Sequence, residues 1–323
     1  MPFWRRKNET RDSLKEDIIE DLLRTHLLLD YVKTEDFLMV ALNIRPCSFL
    51  TIPAELSNAS ELGERIDALC REDLLALKAA PIDKKAVLIH KMKKKLQDTF
   101  KETVYESASY RAHLDWIRKL GLQTFDFEVR PTIHELYLFK DSSLKGELRK
   151  IMNYRRIERE RIAASRRMPE APSRLAFPEE LSFDYVTSVG KLLGYPKCCI
   201  DRYVHERTHE GISVEMRASE QIEELKRNKE MLDVHVYFVR NFFPCNPNCQ
   251  NASQIGRKTV EALNGLDPRL SSLHLECMRR NLEAVEKYPE LIRQFRKKMG
   301  NKARKLGAIW KSDQNNFKQN LPN

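Results

Sequence analysis

Hydrophobic residues in the first part of the chain recur at helical spacing. Ser13 and Glu16 have the spacing of a capping box, which predicts a helix that begins there. Apolar residues then follow every three or four positions, as on one face of an amphipathic helix. The same pattern predicts helices over 34–43, 59–79, 83–103 and 107–119. Gly121 is suited to end the last of them, because glycine tolerates a left-handed cap. Residues 1–120 are therefore predicted to form an N-terminal helical domain.

The period of the pattern changes from helical to alternating after residue 121. Phe125, Phe127 and Val129 alternate with polar residues, a turn follows, and residues 133–139 are rich in β-branched and aromatic side chains. This pattern predicts a β-hairpin. His134 lies within it and is interpreted as a packed or surface residue. A strongly basic helix is predicted next over 142–167, so that 121–168 form a segment of hairpin and basic helix.

Pro169, Pro172 and Pro178 lie within ten residues of one another, which no helix or central strand tolerates. Residues 169–180 are therefore predicted to be a linker. Helical patterns resume over 183–193, from near residue 198, and over 214–241, 250–264 and 267–299. They predict a helical cysteine-cluster domain over 181–300, followed by a basic and polar tail over 301–323. The expected fold is mostly α with a small β-hairpin, an α+β arrangement with a helical, cysteine-rich C-terminal domain.

The composition of the 323 residues narrows the class of protein. No apolar stretch approaches the ~20 residues that a membrane-spanning helix needs. The first residues lack the apolar core of a signal peptide, so a cytoplasmic location is expected. Seven cysteines in such a chain are expected to be reduced rather than paired in disulfides. Cys47 and Cys70 stand alone in patterns interpreted as helical and are expected to be small buried hydrophobes.

The net charge of +10 is concentrated in three basic segments. They cover residues 84–101, 145–167 and 293–311. Basic stripes of this kind favour a polyanionic partner, and RNA or tRNA contacted through its phosphate backbone is the partner expected here. The alternatives are solvated helix faces and, for the last segment, a helix that lies on a membrane surface.

Four of the cysteines fall in two similar motifs, GYPKCC at 194–199 and PCNPNC at 244–249. In each, a proline-bearing turn precedes cysteines at a predicted helix start, where free N–H groups and the helix dipole favour the thiolate. Four thiolates from Cys198, Cys199, Cys245 and Cys249 suit a tetrahedral zinc ion or a 4Fe–4S cluster. Adjacent cysteines diverge and suit a wide cluster, so an iron–sulfur centre is preferred to zinc. A metal-free redox dithiol and inert buried thiols are the alternatives. Cys277 is interpreted as core rather than as a fifth thiol of this site.

The two motifs resemble those of a largely archaeal family with a domain of unknown function, which carries G-Y-P-x-C-C and then P-C-x3-C. The residues that match are Gly194, Tyr195, Pro196, Cys198, Cys199, Pro244, Cys245 and Cys249. The resemblance covers about residues 180–265 and implies no established activity. The adjacent cysteines are also loosely similar to those of the cysteine-rich domains of heterodisulfide reductases and of epoxyqueuosine reductases, which bind iron–sulfur clusters.

His205, Glu206 and His209 spell H-E-x-x-H, the motif of zinc peptidases in which two histidines bind zinc and the glutamate is a general base. Glu223 or Glu224 would be the third ligand. The polar residues around the motif fit a solvated helix end better, so His205 and Glu206 are expected at the surface and are only weak catalytic candidates.

The leading functional hypothesis is an iron–sulfur or zinc protein, acting as an RNA- or tRNA-modifying or redox enzyme. A non-catalytic protein that zinc stabilises and that binds a polyanion is the alternative. A zinc peptidase is the third hypothesis, and the sequence leaves open whether the protein is an enzyme.

Overall fold

The computed structural model describes residues 16–164, 178–210, 213–294 and 297. Within them the chain is mostly α-helical with one small antiparallel sheet, so the predicted fold class is confirmed. The capping box at Ser13, most of the predicted linker 169–180, the tail 301–323 and most of the basic segment 293–311 lie outside the described residues. None of the described helices is both long and apolar enough to span a membrane.

Most of the described chain lies in α-helices of 9 to 21 residues. The helices are α1 (Glu16–Arg24), α2 (Ala59–Ala79), α3 (Ile82–Phe100), α4 (Ala108–Lys119), α5 (Leu144–Ala164), α6 (Phe183–Leu192), α7 (Lys197–His205), α8 (Val214–Arg227), α9 (Gln250–Asn264) and α10 (Pro268–Glu286). Wider π-type turns occur at Val32–Leu38, which continues as one α turn Met39–Ala41, at Lys101–Tyr105 and at Glu206–Glu210. Short 3-10 turns occur at Pro178–Leu181 and Val234–Tyr237. The predicted helices 59–79 and 250–264 are confirmed to the residue.

The sheet has three strands in the order β1, β3, β2, all antiparallel. They are β1 (Cys47–Ile52), β2 (Gln123–Arg130) and β3 (Ile133–Phe139). The predicted hairpin is confirmed as β2 and β3. The sequence did not predict β1, which pairs along β3 from Cys47 opposite Phe139 to Ile52 opposite His134. The expectation that Cys47 lies in a helix is therefore wrong, although it is fully buried, as is Cys70 in α2.

Each face of the sheet packs against a different set of helices. Alternation along a strand sends neighbouring side chains to opposite faces. Leu50 and Leu138 accordingly pack with the N-terminal helices, and Leu263 and Leu270 of α9 and α10 join the same core. On the other face, Tyr137 packs against α5 and α6. The apolar cores thus cross the boundaries predicted between domains, and that division stays a prediction.

A third core holds the cysteine motifs. It joins α7, α8, α9 and α10 around the segment 234–243. The predicted helix 214–241 is confirmed from Val214 to Arg227 and is wrong beyond it, because α8 ends at Arg227 and Lys229 takes a left-handed conformation with φ +58°. The predicted helix 267–299 is also interrupted, since α10 ends at Glu286 and a separate helical stretch covers 288–294. Because α8 ends early, segment 234–243 is not part of that helix and fills the core between α9 and α10.

Candidate metal centre

The GYPKCC motif joins two helices through one tight turn. Gly194 follows α6 with φ +73°, and its N–H donates to the carbonyl oxygen of Lys191 at 3.0 Å. The next N–H, of Tyr195, donates to Gly190 at 3.0 Å, which closes the C-terminal end of α6. Pro196 then precedes the first residue of α7. Cys198 and Cys199 consequently lie in the first turn of α7, as predicted.

The second pair of cysteines lies at the start of α9. Cys249 occupies the position just before that helix, and the Ser253 N–H donates to its carbonyl oxygen at 2.9 Å. Cys245 lies in the preceding loop, which is folded tightly around Asn246. The side-chain oxygen of Asn246 accepts from the Asn248 N–H at 3.0 Å, and its carbonyl oxygen accepts from the Cys249 N–H at 3.2 Å. This tight loop keeps the two cysteines close together.

The structure brings the four cysteine sulfurs together in one group, all within 4.8 Å of one another. The sulfur of Cys249 lies 3.7 Å from that of Cys198 and 3.6 Å from that of Cys199, and the two adjacent sulfurs are 4.0 Å apart. Cys199 and Cys249 are only 2% and 4% exposed, whereas Cys198 and Cys245 are half-buried. Four thiol sulfurs are the donor set of zinc and of iron–sulfur sites. The predicted cluster of four cysteines is thus present and can hold a metal.

The four thiols do not share one electrostatic environment. Burial raises the pKa of Cys199, and it raises the pKa of Cys245 to about 11. At Cys198 burial acts in the same direction, but hydrogen bonds from the Asn251 amide, at 3.3 Å, and from the neighbouring thiols outweigh it, so that its pKa is lowered. The pKa of Cys198 is thus lowered, but by side-chain hydrogen bonds rather than by the predicted effect of the helix start, and the pKa of Cys199 is raised. A bound cation would supply the charge that keeps the remaining sulfurs deprotonated.

An ion-pair network supports the loop that carries Cys245. The guanidinium group of Arg217, on α8, donates to the carbonyl oxygen of Pro244 at 2.6 Å and to Glu206 at 2.9 Å. Glu206 also accepts from Arg202 at 2.5 Å. Sequence reasoning missed Arg217, because nothing in its local pattern shows that the side chain reaches a loop 27 residues later.

The expectation that Glu206 lies at the surface is wrong, since this residue is completely buried. Its carboxylate is occupied by two arginines and is poorly suited to act as a general base. His205 is exposed, as expected, and so are Glu223 and Glu224. The side chain of His209 lies outside the described residues. Among the described residues the four cysteines are the one group of three or more metal-ligating side chains, and Cys277 lies outside it, buried in the core.

The comparisons with known proteins give one match. No curated protein and no solved structure matches the chain. Residues 127–277, the segment that holds all four cysteines, match the model of a family described as protein of unknown function (DUF483), which confirms the predicted resemblance to a family of unknown function.

Proposed function

We propose that the four thiolates bind a single metal ion, zinc by preference. The observation that carries this proposal is the distance between the sulfurs. Four sulfurs placed tetrahedrally at about 2.3 Å from one ion lie about 3.8 Å from one another. The separations among Cys198, Cys199 and Cys249, 3.6, 3.7 and 4.0 Å, lie on both sides of that value, and the sulfur of Cys245 lies within 4.8 Å of the other three.

A 4Fe–4S cluster fits these distances less well. In such a cluster each cysteine binds its own iron, so the distance between the irons is added to the separation of the sulfurs. The four thiols would have to move apart to accept it. Adjacent cysteines also need not diverge here, because both sulfurs of the first turn of α7 reach the same Cys249.

An ion with four thiolate ligands has no open position and acts on structure rather than on a substrate. Here it would fasten the start of α7 to the loop at Cys245 and to the start of α9. These elements meet in the core around segment 234–243. The proposed role is therefore to hold that core together, with any reaction left to other residues.

Metal analysis of anaerobically purified protein tests this proposal. We expect one zinc ion per chain, no acid-labile sulfide, and loss of the metal in Cys199→Ser. Cys70→Ser is the matched control, because Cys70 is also a buried free thiol but lies in α2, outside the cysteine group. Iron and sulfide in equal amounts would contradict the proposal, and so would a metal-free protein in which the cysteines cycle as a dithiol.

A second function, polyanion binding, is favoured by α3. Its Lys84, Lys91, Lys93 and Lys94 are exposed, and none forms an ion pair with an acidic side chain among the described residues. The basic helix α5 differs, because Arg155 is buried against Glu135 and Glu179 and Arg159 also binds Glu179. Of the two basic helices that the structure describes, α5 therefore turns part of its charge inward, although its Lys145, Arg149 and Lys150 are exposed, whereas these four lysines of α3 are all exposed and unpaired among the described residues.

RNA binding measured at several salt concentrations tests this second function. Replacing Lys91, Lys93 and Lys94 by Glu is expected to weaken binding and to reduce the salt slope by about one for each phosphate that is no longer neutralised. The matched variant replaces Lys145, Arg149 and Lys150, which are exposed on α5, by Glu. Equal weakening in both variants would show a nonspecific charge effect, and unchanged binding in the α3 variant would exclude that helix.

A further inference from the structure

A cavity of about 360 Å³ adjoins the metal centre. It lies between the sheet, α6, α7 and the segment 239–243, and Cys199 forms part of its wall. Its volume falls within the range of small-molecule sites, ~300–1,000 Å³. Among the residues of the wall, Asn241 is exposed and Val186 and Tyr203 are half-buried, so the wall also reaches the surface of the molecule.

Two pairs of aromatic rings form much of the apolar part of the wall. Phe49 and Tyr137, on neighbouring strands, have ring centres 5.4 Å apart, and Tyr195 and Phe242 have ring centres 5.0 Å apart. The face of an aromatic ring carries partial negative charge and attracts cations as well as apolar groups. These rings therefore favour a ligand with an apolar body and a positive charge.

Carboxylates outnumber guanidinium groups in the same wall. The carboxylates belong to Glu35, Asp36, Glu55, Glu135 and Glu180, and the guanidinium groups belong to Arg45, Arg155 and Arg240. When all of them are ionised, the wall carries two more negative than positive charges. Behind the wall, Glu179 binds both Arg155 and Arg159, so the extra pair of charges there leaves this excess unchanged.

The negative charge is most crowded around Arg240. Its guanidinium group binds Asp36 at 2.7 Å and Glu55 at 2.6 Å and lies 4.0 Å from Glu35, so one positive charge serves three carboxylates. Arg45 donates instead to two backbone carbonyl oxygens and forms no ion pair within the described part of the chain. Burial, with the neighbouring Asp36 acting in the same direction, raises the pKa of Glu35 to about 7. Even when Glu35 is protonated, the wall keeps one excess negative charge.

Asp36 has the free acceptor oxygen of this group of carboxylates. Both oxygens of Glu35 and both oxygens of Glu55 accept hydrogen bonds from the protein. Asp36 is 3% exposed, and its Oδ2 accepts from Arg240, but no described residue donates to its Oδ1. A buried carboxylate oxygen without a donor is costly. An ammonium group would supply both the donor and the positive charge, in a charge-assisted hydrogen bond.

We propose that this cavity binds a small primary amine, in its ammonium form, with an aromatic or branched apolar body, and that Asp36 binds the ammonium group. One positive charge suits the wall, because the wall has at least one excess negative charge in either protonation state of Glu35. A primary ammonium has N–H donors for Asp36, which a quaternary ammonium lacks. The proposal concerns the cavity and is independent of which metal the cysteines bind.

Calorimetric titration of the full chain with benzylamine, phenethylamine and isopentylamine tests the proposal, at about pH 8, where Glu35 is mostly ionised. Benzyl alcohol and benzoate are the neutral and the anionic comparisons. At least one amine is expected to bind with a Kd below about 1 mM, and both comparisons are expected to bind at least about tenfold more weakly.

Two variants of equal charge change separate a contact with Asp36 from a general effect of charge. Asp36→Asn is expected to weaken amine binding about 10- to 100-fold, the range for loss of a hydrogen bond to a charged group, and to leave benzyl alcohol unaffected. Glu158→Gln is the matched control, because Glu158 is also a buried carboxylate that binds an arginine but does not line the cavity.

A further variant keeps the test decisive if Asp36→Asn does not fold. Val189→Phe leaves Asp36 intact and places a larger side chain in the cavity wall, so it is expected to abolish amine binding. The proposal is overturned if no amine reaches the expected affinity, or if benzyl alcohol or benzoate binds as tightly as benzylamine. It is equally overturned if amine binding is unchanged in Asp36→Asn or in Val189→Phe, or if Glu158→Gln weakens it as much as Asp36→Asn does. Metal content, measured on the same samples, reports separately on the cysteine site.

Discussion

Replacing Gly194 by alanine tests the link between the cysteine motif and the rest of the fold. Gly194 has φ +73°, a conformation that costs an L-residue about 1–2 kcal/mol. A Cβ atom there would also lie 2.7 Å from the Cδ of Pro46, a closer approach than packed carbon atoms allow. The ring of Pro46 is rigid, so the backbone has to shift, and overpacking of this kind costs about 1–3 kcal/mol. The sum predicts that Gly194→Ala lowers the free energy of unfolding by about 2–5 kcal/mol.

Gly121→Ala separates the two contributions. Gly121 has φ +65°, nearly the same backbone conformation, but nothing lies within 4 Å of the position that its Cβ would occupy. This variant therefore carries the conformational cost alone, about 1–2 kcal/mol. The difference between the two variants measures the contact between Gly194 and Pro46.

Urea denaturation of metal-loaded protein, followed by circular dichroism, is the assay for both variants. We expect Gly194→Ala to be the more destabilised by about 1–3 kcal/mol and to lose metal at a lower concentration of chelator, because the shift moves the start of α7. Equal destabilisation of the two variants would refute this explanation, since it would mean that the turn does not press against Pro46.

The ion pairs and the pKa values support three further predictions. Arg217→Met removes one of the two arginines that bind the buried Glu206 carboxylate and leaves Arg202 in place. The free energy of unfolding should therefore fall by about 1–3 kcal/mol in denaturation. Metal affinity should fall about 10- to 100-fold in chelator competition. Burial raises the pKa of Glu35 from 4.5 to about 7, so between these pH values the folded state binds a proton that the unfolded state does not. The free energy of unfolding should therefore fall by up to about 3 kcal/mol as pH rises from 4.5 to 7. Glu35→Gln should reduce this dependence of the unfolding free energy on pH, and an unchanged pH dependence would contradict the prediction. Burial raises the pKa of Cys199 and of Cys245, so both thiols have to lose a proton when a metal binds. Metal binding should therefore release protons and weaken as pH falls. Calorimetry in buffers of different ionisation enthalpy measures the number of protons released.

Local sequence patterns predicted the helices well where one apolar face decides the structure. Residues 59–79 and 250–264 are such segments, and both helices were predicted to the residue. The pattern over 214–241 led to a wrong prediction for its second half, because the apolar residues within 234–239 are buried in a core that several helices share and do not form one helix face. Strand β1 was missed since its pairing depends on β3, which lies far along the chain.

The sequence could predict the site only where its ligands belong to recognisable sequence motifs. Two proline-led cysteine pairs predicted the group of four sulfurs, and the structure places them together. The Arg217 contact to Pro244 and the position of Arg45 beside the cavity depend on elements that meet only in the folded chain. The charge pattern alone could not show that Arg155 points inward, whereas Lys91 points to solvent.

X-ray absorption spectroscopy at the metal edge, on protein purified without oxygen, tests the single-ion centre most directly. We predict a zinc ion with four sulfur neighbours at about 2.3 Å and no second metal nearby. An iron edge with iron–iron scattering would contradict the proposal, and so would a first shell that contains fewer than four sulfurs.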